Sequence, residues 1–110
     1  YNHKPDFLFP DLETYLAAPA EGDPRLTMLG AKSTCKDRWR QVLAEAEKIS
    51  RKHLLTLEPG ISEPQTSQME ASSLQLVVPS LIHTSYTEAQ REWLWSVRDF
   101  IDAVKVRAMC

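Results

Sequence analysis

The sequence predicts an α/β fold: a mixed sheet flanked by helices. Three observations carry that expectation. Four short apolar runs, near residues 6–10, 26–32, 53–57 and 74–79, alternate with stretches of helical character. Each run ends at a proline, a helix cap or a Pro59-Gly60 break. At 110 residues, 43% apolar and 25% charged, the chain suits one small domain with a real but limited core.

Taken in order, Asp6-Phe7-Leu8-Phe9-Pro10 is a strand closed by proline. Leu12 to Ala18 allows a helical turn or two, and residues 18–24 form a loop. In Leu26 to Lys32, a period of two sets Met28, Gly30 and Lys32 on one face and Thr27, Leu29 and Ala31 on the other. Ser33 and Thr34 are good N-caps, and the helix they open is expected to run to about Ser50. Trp39, Val42, Leu43, Ala46 and Ile49 form its apolar stripe, with Arg38, Gln41 and Glu45 on a neighbouring one. His53 to Leu57 reads as a strand, Ser62 caps a short helix through about Ser72, and Leu74 to Pro79 is the last strand. Thr87 opens a long helix, with Gln90 placed to complete a capping box. Its stripe (Trp93, Leu94, Val97, Phe100, Ile101, Val104, Ala108) is interrupted by charges, so it packs on protein and not in lipid. No internal repeat or low-complexity tract is present.

There is no signal peptide, no apolar run of about 18 residues and no lipidation motif, so a soluble chain is expected. Cys35 and Cys110 are too few and too far apart for a disulfide framework, which favours a reducing cytosol. A net charge of −2 weighs mildly against a nucleic-acid binder. Yet Lys32, Lys36, Arg38, Arg40, Lys48, Arg51 and Lys52 concentrate positive charge in one region.

Asp6 at a strand end, Lys32 at the end of another and Glu45 in the following helix are a minimal set for metal-assisted phosphodiester cleavage. The carboxylates could hold Mg²⁺, a hard cation that takes oxygen ligands. The Lys32 ammonium could orient an attacking water or offset charge on the transition state. Each residue alone reads more readily as a solvated strand end or helix surface; the set in this order carries the reading. Lys36, Asp37 and Arg38 have the donors and acceptor to read adjacent G·C pairs in a major groove, and also read as plain surface charge. Tyr15 either touches the scissile phosphate or packs beside the sheet. His3, His53 and His83 lack zinc-ligand spacing, and no Gly-rich phosphate loop or nucleophile elbow is present.

Pro5-Asp6-Phe7-Leu8-Phe9-Pro10, the block from Ala31-Lys32-Ser33-Thr34-Cys35-Lys36-Asp37-Arg38 to Leu57, and Leu74 to Pro79 resemble the C-terminal catalytic domain of the EcoRII-type restriction endonucleases. The resemblance runs over nearly the whole chain. It implies a PD-(D/E)XK nuclease core, in the variant whose glutamate has moved from the strand to the next helix. Carried over, Asp6 and Glu45 would hold the metal, Lys32 would be the catalytic lysine and Tyr15 an active-site neighbour. Lys36, Asp37 and Arg38 would contact the outer C·G pairs of the target. It further implies a Mg²⁺-dependent, homodimeric enzyme of the bacterial cytoplasm that cuts double-stranded DNA at short CC(A/T)GG-like sites. Two departures qualify it: several relatives carry serine or threonine where Gly30 stands, and the chain starts just ahead of the PD motif. Residues 1–110 are therefore expected to be the C-terminal portion of such a catalytic domain. The competing readings are an inactive DNA-binding or dimerisation module and a mismatch-repair-type nuclease of the same core.

Overall fold

Side-chain alternation along four strands gives the sheet two faces with different chemistry. A computed structural model of the protein describes residues 5–35 and 38–109. Strands β1 (Phe7–Phe9), β2 (Thr27–Lys32), β3 (Lys52–Thr56) and β4 (Leu74–Val77) lie side by side in that order. β1 is antiparallel to β2, while β2, β3 and β4 run parallel, so the sheet is mixed as expected. The register sets Phe7 opposite Leu29, Lys32 opposite Thr56 and Leu54 opposite Leu76. By alternation, Met28, Gly30 and Lys32 share one face with Lys52, Leu54, Thr56, Leu74 and Leu76. Thr27, Leu29 and Ala31 share the other with His53, Leu55, Gln75 and Val77.

The first face carries the larger core. Met28, Leu54, Leu74 and Leu76 pack there with Tyr15, Trp39, Val42, Ile61 and Met69, all buried. The second holds Leu29, Val77 and Phe100, with Phe9, Leu55, Trp95 and Val104 against them. Around the sheet lie α1 (Leu12–Ala17), α2 (Glu63–Ala71), α3 (Glu88–Trp93) and α4 (Val97–Ala108). Among the described residues, no helix is long and apolar enough to cross a membrane.

Two helical expectations are corrected. Among the described residues, the span expected to be one helix from Ser33 to Ser50 holds a 3-10 helix over Trp39–Ala44. Ahead of it, the Cys35 N–H donates to the Glu58 carboxylate at 2.7 Å. The 3-10 helix stops because Glu45 is extended (φ −81°, ψ 148°) and Ala46 sits at φ 49°, in the left-handed region. Carbonyls that an α-helix would pair four residues on are taken by a lysine ammonium from β3. Trp39, Val42, Ala46 and Ile49 are buried all the same, so the stripe found the right residues in the wrong conformation.

The long C-terminal helix is two helices. Leu94 turns extended after α3, and Trp95 joins the sheet edge as an isolated parallel bridge to Val77. The Trp95 N–H donates to the Leu76 carbonyl at 3.2 Å, and the Val78 N–H donates to the Trp95 carbonyl at 2.8 Å. Exposed ladder groups on β4 thus outcompete helix continuation. Each piece has its own capping box, Thr87 with Gln90 and Ser96 with Asp99.

Candidate active site

Asp6 and Glu45 both approach the last half of β2, the strand that Lys32 ends. Asp6 precedes β1, and one more step of the β1–β2 register would set it opposite Gly30. Its Oδ2 accepts the Ala31 N–H at 2.7 Å, replacing the next rung of the ladder and leaving Oδ1 to other partners. The side chain itself is exposed. Lys32, half-buried, ends β2 on the same face as Gly30.

Glu45 comes from the opposite direction. The 3-10 helix crosses above β2, and Glu45 is the first residue past its end. A Cβ on Gly30 would lie 3.4 Å from Glu45 Oε1 and 3.4 Å from both Val42 methyls. Glycine therefore lets this carboxylate settle onto the strand, where Oε1 is shielded from solvent. The sequence put Glu45 inside an α-helix; the structure puts it in extended backbone just after a 3-10 turn, aimed at β2.

Tyr15 is 4% exposed, and its hydroxyl accepts the Lys48 N–H at 3.3 Å. Lys48 Nζ donates to the Tyr15 and Leu16 carbonyls, each at 3.0 Å, and lies 5.2 Å from the Tyr15 ring centroid. These contacts fix Tyr15 to the turn that follows Glu45. Of the three residues expected to contact DNA, Lys36 and Asp37 lie outside the described residues. Arg38 is exposed; its guanidinium donates to Thr34 Oγ1 at 3.3 Å, and its N–H donates to the Cys35 carbonyl at 3.0 Å.

The backbone of residues 33–35 is secured from β3 and beyond. Thr56 Oγ1 donates to the Ser33 carbonyl at 3.2 Å, and Glu58 accepts from Cys35 N–H. The Tyr86 hydroxyl donates to the Glu58 carbonyl at 2.6 Å. Cys35 is a buried free cysteine, and burial raises its thiol pKa, so it stays a neutral core residue. Sequence reasoning missed Thr56 and Glu58, whose roles depend on contacts more than 20 residues away. It also missed Lys52, although that lysine's phase with Leu54 and Thr56 marked an inward-facing position.

Among the described residues, no group of three or more His, Cys, Asp or Glu side chains is gathered to hold a metal ion. The donor set at β2 is two carboxylates, beside one ammonium.

An antiparallel strand leading into three parallel ones, with helices around the sheet, is a PD-(D/E)XK restriction-endonuclease-like fold. Solved structures share this fold. Metal-depleted Ecl18kI in complex with uncleaved, modified DNA matches with a TM-score of 0.67 at 17% identity, over 77% of this chain and 29% of that one. Metal-depleted Ecl18kI with uncleaved DNA matches with a TM-score of 0.66 at 19% identity, over 77% and 30%. Within that class the family is specific. The family described as EcoRII C terminal matches residues 1–101, and the chain belongs to it. It is 49% identical over 102 residues to the type II restriction enzyme EcoRII of Escherichia coli, covering 91% of this chain and 24% of that enzyme's length.

Proposed function

We propose that this chain is the C-terminal catalytic part of a Mg²⁺-dependent type II restriction endonuclease. It hydrolyses phosphodiester bonds in double-stranded DNA at a short CC(A/T)GG-like site, as a homodimer of the bacterial cytoplasm. The observation that carries this reading is the approach of Glu45 Oε1 to Gly30 while Asp6 binds the adjacent Ala31 N–H, which brings two acids to one strand end beside Lys32. Family membership and the fold shared with DNA-bound structures support it.

The residues present fit a hard divalent ion. Mg²⁺ is held by one or two carboxylates and keeps several waters, so Asp6 and Glu45 suffice without a full protein cage. The space beside Gly30, which a Cβ would fill, is where Glu45 presents its oxygen. When bound, such an ion would supply Lewis acidity at a phosphate oxygen.

The chain's own groups do the rest. The Lys32 ammonium would hold a scissile phosphate and offset charge that develops on it, as a point donor fixed by strand geometry. Tyr15, through Lys48, would steady the turn carrying Glu45. Lys36, Asp37 and Arg38 would reach base edges; Thr56 and Glu58 hold the backbone of Ser33 and Cys35 just ahead of them in sequence.

Incubation of the purified chain with supercoiled plasmid and Mg²⁺ tests the reading. Site-specific cleavage is expected, with a fall of roughly 10²-fold or more in Lys32→Ala. Unchanged cutting by Lys32→Ala removes that residue from the mechanism. Salt-sensitive DNA binding with no cutting at any Mg²⁺ concentration would instead identify a DNA-binding module.

A further inference from the structure

Lys52 is a buried ammonium that the proposed chemistry does not use. It opens β3, is 5% exposed, and faces inward in phase with Leu54 and Thr56. Its Nζ donates to the Ala46 carbonyl at 2.7 Å and also to the Ile49 carbonyl. Both acceptors lie in the turn that begins immediately after Glu45.

A buried charge is expensive to desolvate, and an apolar side chain of similar size often serves stability as well or better. Burial accordingly lowers the Lys52 pKa, while the carboxylates of Glu45 and Glu47 favour its charged form. The residue next to Glu45, Ala46, is held at φ 49°, a conformation that L-residues rarely adopt. A side chain that gathers the carbonyls of Ala46 and Ile49 gives this turn one fixed shape. That shape determines where the preceding carboxylate lands on β2.

We infer that Lys52 is a positioning residue for Glu45, clamping the Ala46–Ile49 turn so that the carboxylate is presented to a divalent cation at β2. This rests on the reading of Glu45 as a metal ligand. Groups behind the ligands of a metal site commonly change metal affinity by about 10–100-fold when altered.

Direct titration of the full chain with Mn²⁺, following the free-ion electron paramagnetic resonance signal, tests it without any turnover. Lys52→Met matches the length of the lysine stem and has no charge to bury, so it is expected to fold. Its Mn²⁺ dissociation constant should rise about tenfold or more, approaching that of Glu45→Gln. Its melting profile should stay cooperative, and DNA binding without metal should match the wild type. Lys52→Gln, too short to reach both carbonyls, should behave alike. If Glu45→Gln weakens Mn²⁺ binding while folded Lys52→Met binds as the wild type does, the positioning role is overturned. Should Glu45→Gln itself bind Mn²⁺ normally, the metal reading of Glu45 fails, and the role of Lys52 with it. Unfolding of both Lys52 variants would assign this lysine to the fold alone and also overturn the proposal.

Discussion

The His53 ring lies 5.4 Å from that of Trp95 at an interplanar angle of 36°, and among the described residues no hydrogen-bond partner meets its buried Nδ1. Phe100 closes the other side at 5.2 Å. Burial is the main reason its pKa falls to about 4, with Arg51 adding a like-charge contribution. In the folded protein His53 is therefore neutral where an unfolded histidine begins to charge. Stability is complete above about pH 6.5 and declines as pH falls toward 4, because the unfolded chain then binds the extra proton. The full loss is roughly 3 kcal/mol. Urea melts between pH 4 and 7 should show this slope, and His53→Phe should flatten it.

Gly30 controls how closely Glu45 approaches β2. Alanine places its Cβ at ordinary contact distance, and strand glycine is itself unfavourable, so Gly30→Ala should change stability by no more than about 1 kcal/mol. Serine should be tolerated similarly. Gly30→Val drives branched carbons against Glu45 and Val42, at about 1–3 kcal/mol, and should weaken Mn²⁺ binding as well. Denaturant melts and the metal titration separate the two effects.

Tyr86 is buried, its hydroxyl on the Glu58 carbonyl, and burial pushes its pKa up to about 12. A phenol that resists ionisation in the fold contributes stability that is present below about pH 10 and lost as pH rises toward 12. Tyr86→Phe should lower stability by about 1 kcal/mol at neutral pH and remove the alkaline loss. Thermal melts at pH 8 and above would show both.

Leu54 is fully buried between the parallel strands, whereas Leu81 is 94% exposed. Leu54→Ala should cost about 2–5 kcal/mol, and Leu81→Ala should stay within about 0.5 kcal/mol. Equal effects in chemical denaturation would contradict this division of the core.

Short apolar runs bounded by a proline, a helix cap or the Pro59-Gly60 break indicated all four strands, because those signals are local. The split of Met28, Gly30 and Lys32 from Thr27, Leu29 and Ala31 is the split the folded sheet shows. Capping by Thr87 and Gln90 was equally legible, since that box closes within one turn. The errors arose where partners from another element compete for backbone groups. Lys52 takes the carbonyls of Ala46 and Ile49, so the helical periodicity does not carry an α-helix past Glu45. Trp95 is drawn to β4 for the same reason, against the periodicity around it. Asp6, Lys32 and Glu45 were found as residue types in order; what brings Glu45 down to β2 is an absent side chain at Gly30, which residue spacing does not encode.

β1 is three residues long, lies at the sheet edge, and leaves Phe7 52% exposed. Segments secured this lightly open well below the global transition. The acid at position 6 is tethered to the remainder chiefly through that ladder and one contact to Ala31. Warming should therefore free Asp6 from β2 several degrees before the protein melts, by detaching an edge while the parallel strands stand intact.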